Sequence, residues 1–135
     1  MRAFIEISTD RRETLVDITE EVQDIVTASG IDNGIVSVYA RGATGAIMIQ
    51  ENWDESVQHD VVRLLRQMIP QGVWEHDSQD GNGDAHLKAG LVGPSETIPV
   101  INARLGLSRW QDIFFCEFDG PRTKREIACT VISDS

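Results

Sequence analysis

His76 and His86 are the two residues whose type and spacing most invite chemistry. A neutral imidazole is a common ligand for a divalent metal, and it can exchange a proton near neutral pH. Between them runs Asp77-Ser78-Gln79-Asp80-Gly81-Asn82-Gly83-Asp84, a polar loop whose glycines can turn the chain back and aim both rings into one pocket. The nine intervening residues fit no compact zinc motif, and neither cysteine lies near. Two readings stand: a shared metal site, or two histidines that end adjacent strands and hydrogen-bond to backbone. The stretch from Asp80 to Asp84 superficially has the alternating oxygens of a calcium loop. It fails as one, since position six is Ala85 instead of glycine and position twelve is Leu91 instead of glutamate.

Further polar residues fall where sites commonly form. Glu51, within Gln50-Glu51-Asn52, emerges where an apolar strand meets a helix, although Asp54 and Glu55 point equally to simple solvation of the helix N-terminus. Asp60 lies at the margin of an apolar helical stripe and can look inward, whereas His59 falls on the polar side and reads as surface. Arg122, in an Asp-Gly-Pro-Arg turn, can clamp an anion bidentately or instead pair with Asp119 or Glu117. Trp110-Gln111 enters a strand, with core packing the default for the indole.

These residues need elements to position them. Arg2 to Ser8, Ile35 to Tyr39 and Ala46 to Ile49 read as strands. Asp112 to Phe118 and Lys124 to Ile132 do too, joined by a turn over 119–123. A first helix starts near Asp17-Ile18-Thr19-Glu20 and stops at Ser29-Gly30, and a second runs from Asp54 to Pro70 with Val57, Val61, Leu64, Leu65 and Met68 on one stripe. From Val73 the pattern reads as strands again, including both histidine-bearing segments and Leu87 to Val92. Strands outnumber helices about seven to two. The expected fold is therefore α+β: a mainly antiparallel β-sandwich with two flanking α-helices, as one domain over residues 1–135.

At 135 residues, 41% hydrophobic and 25% charged, the chain is globular rather than disordered or fibrous. Its net charge of -10 opposes the counterion release that drives nucleic-acid binding, so neither nucleic acid nor an anionic membrane is an expected partner. No apolar run approaches the ~20 residues of a bilayer span, and Glu6 interrupts any signal-like start, so a cytoplasmic location is expected. Cys116 and Cys129 sit in apolar alternating segments and read as buried thiols. Phe114, Cys116 and Phe118 fall on one face of their strand while Ile113 and Phe115 fall on the other. Both faces need cover, and a neighbouring subunit is one source of it.

Taken in order, Glu51-Asn52, Asp60, His76, Asn82-x-Asp84-Ala85-His86-Leu87, Gly93-Pro94-Ser95, Ile98-Pro99-Val100, Leu105-Gly106-Leu107, Trp110-Gln111 and Asp119-Gly120-Pro121-Arg122 resemble the YjbQ family. The resemblance runs from about Thr19 to Val131. It implies a β-sandwich with two helices, a homotrimer, and a polar pocket holding the histidines with a bound metal or anion. The implied activity is thiamine-phosphate synthase-like, joining a hydroxymethylpyrimidine diphosphate to a thiazole phosphate; the alternative is a non-catalytic trimeric binding protein for a small anionic metabolite. On that reading His76 and His86 hold a divalent metal, zinc or magnesium. Glu51, Asp60 and Arg122 would be catalytic, and Thr44, Asn82, Lys88, Ser95, Trp110 and Gln111 would contact a small phosphorylated or anionic substrate. Three departures stand out: Gly42 replaces a family histidine, Ala103 replaces a glycine, and Arg109 stands where a small polar residue is usual.

Overall fold

The computed structural model describes residues 1–135. Eight strands and three α-helices follow in the order β1 (Arg2–Thr9), β2 (Thr14–Asp17), α1 (Thr19–Ser29), β3 (Gly34–Ala40), β4 (Gly45–Glu51), α2 (Glu55–Met68), α3 (Gly83–Val92), β5 (Ser95–Ile101), β6 (Arg104–Leu105), β7 (Gln111–Glu117) and β8 (Arg122–Ser133). A 3-10 turn, Glu75–Ser78, lies between α2 and α3. The strands form two antiparallel sheets, one ordered β1-β8-β3-β5-β6 and one ordered β2-β7-β4.

The expected α+β class is found, with one correction. Neither histidine-bearing segment is a strand: His76 lies in the 3-10 turn, and His86 together with Leu87 to Val92 belongs to α3, so three α-helices are present instead of two. The reason lies in which side of α3 is buried. Asp84, Ala85, Lys88 and Ala89 face inward, while Leu87 and Leu91 are exposed, so the usual apolar helical stripe is inverted. The two helices that were expected form as read. α1 ends at Gly30 in the left-handed conformation, and α2 is capped by Asp54, whose side chain accepts from Ser56 N.

One buried cluster draws Val36, Val38, Ile127, Cys129 and Val131 from the larger sheet together with Ile47, Ile113 and Phe115 from the smaller, closed by Val22 and Val26 of α1. A second lies behind the smaller sheet, where Phe114, Cys116 and Phe118 meet Leu65 of α2 and Ala85 and Ala89 of α3. Both faces of β7 are thus covered within one chain: its two apolar faces require no neighbouring subunit. The surface left bare is instead the outer side of the larger sheet. There Phe4 (51% exposed) and Tyr39 (47%) flank Ala128, and Ile35 lies beside Ile132.

Candidate functional site

The segment between α2 and α3 is folded around one carboxylate. Asp77 accepts from Trp74 N at 2.9 Å and from Gly83 N at 2.8 Å, which draws the 3-10 turn onto the first turn of α3. The approach is so close that a Cβ on Gly83 would come within 2.8 Å of Trp74 Cβ, so this position requires glycine. The closure brings the rings of His76 and His86 to 4.8 Å between centroids, edge to face at 85°. They border a cleft also lined by Trp74, Glu75, Gly83 and Leu87. Each ring has one nitrogen engaged: His76 Nε2 faces Asp80 Oδ2 at 3.5 Å, and His86 Nδ1 lies 3.0 Å from Ala43 O. His76 Nδ1 and His86 Nε2 remain for the cleft.

α3 is held from behind by buried charge. Lys88 Nζ donates to Asp84 Oδ2 and to Glu13 Oε2, both at 2.8 Å, and Arg12 makes two hydrogen bonds to Asp84 at 3.0 and 3.2 Å. Arg66 of α2 completes the group on Glu13 Oε1 at 2.7 Å. Burial works to raise the carboxyls of Asp84 and Glu13, yet hydrogen bonds from Arg12, Lys88 and Arg66 hold both below their ordinary values. Lys88, expected to meet substrate, is only 1% exposed with its ammonium committed, so it anchors the helix.

A second buried network sits under the 41–44 loop. Glu117 accepts from Arg125 through both oxygens, from Thr9 Oγ1 at 2.7 Å and from Asp119 N at 3.0 Å. Arg125 Nη2 also donates to Thr44 Oγ1 at 2.9 Å. Burial opposes ionisation of Glu117, but these donors keep its carboxyl below the usual value. Arg125 Nη1 lies under Gly42, where a Cβ would stand 3.3 Å from it, and Gly42 has φ +102°. Asp119 joins the two halves of the site, accepting from Asn82 Nδ2 at 2.8 Å and from Arg122 Nη2 at 2.9 Å. For Arg122, the salt bridge to Asp119 is therefore the arrangement found.

His76, His86, Asn82, Thr44 and Arg122 thus belong to one connected region. The other expected residues lie elsewhere. Glu51 and Gln111 pair at the far end of the smaller sheet, while Gly45 and Glu117 pair at the near end. Six strand steps place them about 20 Å apart. Asp60 is exposed on α2, and Ser95 is exposed at the start of β5. Trp110 is not core: at 43% exposed it meets Trp53 edge-on at 5.1 Å beneath the Arg109 guanidinium. Arg12, Glu13, Asp77, Glu117 and Arg125 were missed. The Asp84-x-x-x-Lys88 spacing, which suits an ion pair one helical turn apart, is the sequence feature from which the charged helix face was readable.

The donor set for a metal falls short. Two imidazoles face one cleft, but no group of three histidine, cysteine or carboxylate side chains forms anywhere in the chain, whereas catalytic zinc takes three protein ligands. Gly42, where the resemblance implies a third histidine, has a positive φ that disfavours any L side chain. One chain alone does not build a zinc centre. The thiols offer no nucleophile either, since burial pushes Cys116 up to about 12 and Cys129 up to about 11.

A family model described as UPF0047 protein YjbQ-like matches residues 3–134. A UPF0047 protein of Methanocaldococcus jannaschii is 43% identical over 96% of this chain and 92% of its own length. The UPF0047 protein YugU of Bacillus subtilis is 41% identical over 92% and 94%. Among solved structures, a YbjQ-like protein of unknown function from Sulfolobus solfataricus P2 superposes with a TM-score of 0.95 at 35% identity, covering 99% of this chain and 97% of that one. A YjbQ/UPF0047-family protein from Clostridium acetobutylicum gives 0.91 at 36%, covering 96% and 99%.

Proposed function

The chain belongs to the YjbQ-like UPF0047 family, and on that premise and its own geometry we propose that it binds a small phosphorylated or otherwise anionic metabolite at the histidine cleft. The observation that carries the reading is the pair of imidazoles held 4.8 Å apart over the first turn of α3, each with a ring nitrogen left for a ligand. The N-terminus of the ten-residue α3 lies at the same place, its Gly83 N already bonded to Asp77. Arg122, half exposed, is paired with Asp119, which also accepts from Asn82 at the start of α3.

Binding without turnover is the reading this geometry favours. Thiamine-phosphate formation needs charge stabilisation on a departing diphosphate. The residues expected to provide it do not converge within one chain: Lys88 is locked in the interior, Glu51 lies at the far end of β4, and Asp60 is on α2. A neighbouring copy could supply what one chain lacks. The bare outer face of the larger sheet, with Phe4, Ile35, Tyr39 and Ile132 exposed, is the surface we assign to subunit contact in a homotrimer, the two sheets packing as a sandwich beneath it.

The test is calorimetric titration of the protein with inorganic pyrophosphate, repeated on His76→Ala and His86→Ala. Affinity lost in both variants supports the site, whereas unchanged affinity moves it elsewhere. Incubation with the pyrimidine diphosphate, the thiazole phosphate and magnesium decides the second reading: formation of thiamine phosphate would make the chain an enzyme. Light scattering at three times the chain's 15.0 kDa supports the trimer, and a monomer removes it.

A further inference from the structure

α2 turns a basic face towards the β1–β2 loop. His59, Arg63 and Arg66 recur at four- and three-residue spacing on one side of the helix and, with Val62, wall a groove of about 450 Å³. Its other bank is the end of β1, the loop that carries Arg11, and β2 from Thr14 to Val16. Both strands are edges of their sheets, so the groove follows an open side of the fold.

The carboxylates around it leave these cations largely free. Glu13 is buried at the floor, drawn inward by Lys88 at 2.8 Å and Arg12 at 3.5 Å, and it takes only the Nε of Arg66, at 2.7 Å. Both Nη groups of Arg66 stay without a partner. Asp10 lies 3.8 Å from Arg11 and Glu55 lies 3.9 Å from His59, but both are exposed pairs that water screens. Arg63 pairs with no carboxylate, and its repulsion with Arg66, three residues on, is unrelieved. Arg11, Arg63 and Arg66 match Asp10, Glu13 and Glu55 one for one, whereas the whole chain carries -10. An anion therefore meets less repulsion here than over most of the surface.

We propose that this groove is a second anion site, in which Arg63, the free Nη groups of Arg66 and Arg11 hold a phosphate group. Guanidinium forks fit phosphate oxygens in pairs, and here they approach from a helix on one bank and a loop on the other. A backbone donor lies beside them. Ile18 N donates across to Ile113 O, and since residues that bond across an antiparallel ladder alternate, Leu15 turns its N–H away from β7 towards the open edge. The groove has room for more than the phosphate itself, and Leu15, Val16 and Val62 give the apolar wall that the organic part of a phosphate ester would cover. It shares no lining residue with the histidine cleft.

The test is an amide NMR titration with inorganic phosphate at constant ionic strength. Saturable shifts are expected at Arg11, Val62 and Arg63. Arg63→Gln should raise the dissociation constant about tenfold, as for one lost charge-assisted hydrogen bond, and because Arg63 is exposed and unpaired the variant should keep its fold. His86→Ala should leave these shifts unchanged, which separates this groove from the histidine cleft. Glycerol 3-phosphate forms a second arm: tighter binding with added shifts at Leu15 and Val16 identifies a phosphate ester as the occupant, and equal or weaker binding identifies the free ion. The proposal is overturned by shifts that do not saturate below ~10 mM phosphate, by chloride reproducing them, by wild-type affinity in Arg63→Gln, or by shifts confined to His76 and His86.

Discussion

Lys88 Nζ lies 2.8 Å from Asp84 Oδ2, one helical turn back on α3, and neither side chain reaches water. A lysine there cannot meet a ligand, but its removal leaves Asp84 and Glu13 short of a donor in the interior. Breaking one partner of a buried ion pair typically costs about 3 to 5 kcal/mol. Lys88→Met is expected to destabilise on that scale by urea unfolding, while the folded fraction retains its pyrophosphate affinity. A variant of normal stability that no longer bound would return Lys88 to the site.

His86 should behave in the opposite way. Its ring is half buried and makes a single hydrogen bond, from Nδ1 to the Ala43 carbonyl, so His86→Ala should cost about 1 kcal/mol of stability. The pyrophosphate dissociation constant should rise about tenfold or more, as expected for one lost charge-assisted hydrogen bond. Unfolding and calorimetry on the same preparation separate the two effects; a large stability loss with unchanged affinity would make His86 a structural residue.

The contrast between these two residues shows what was legible in the sequence. β1, β3, β4, β7, β8, α1 and α2 follow the alternation or helical stripe of their apolar residues, because each buries an apolar face. α3 does not. Its inner face is Asp84, Ala85, Lys88 and Ala89, so a search for apolar periodicity finds Leu87 and Leu91, which are on the outside. Closeness of the two histidines was legible because the Gly81 to Gly83 stretch had to turn, and their rings do meet. The supporting charges were not, because Arg12, Glu13 and Arg125 are distant in sequence and come together only when the β1–β2 loop and β8 pack on α3 and β7. Nor did periodicity separate the two ends of the smaller sheet, so Glu51 and Gln111 were grouped with histidines that lie at the other end.

Acid should undo the fold through the carboxyls held below their ordinary values. For Glu117 burial pushes upward, but the Arg125 and Thr9 hydrogen bonds prevail and the folded value is lowered. Its stabilisation is therefore fully present above the ordinary 4.5 and is lost as the pH falls through the folded value. Glu117→Gln should cost about 3 kcal/mol at pH 7, since it leaves Arg125 charged and buried. That deficit should shrink as both proteins are titrated below pH ~4.5. A deficit that stays constant down to pH 2.5 would show that the Glu117 carboxyl is not held below its ordinary value in the fold.

Between β5 and β6 the chain turns through Asn102 and Ala103 with φ of +52° and +66°, a region that L side chains enter at a cost of about 1 to 2 kcal/mol each. Asparagine tolerates it; alanine has no compensating side-chain bond. The backbone cannot relax elsewhere, because Ala103 N donates to Asp32 O at 2.7 Å and Ala103 O accepts from Gln23 at 3.1 Å. Glycine would remove the steric penalty while adding about 0.5 to 1 kcal/mol of unfolded-state entropy. Ala103→Gly is therefore expected to stabilise the protein by about 0.5 to 1 kcal/mol and to raise the melting temperature by about 2 to 5 °C, measured by calorimetry at pH 7. A lowered melting temperature would mean that the turn is not held at positive φ.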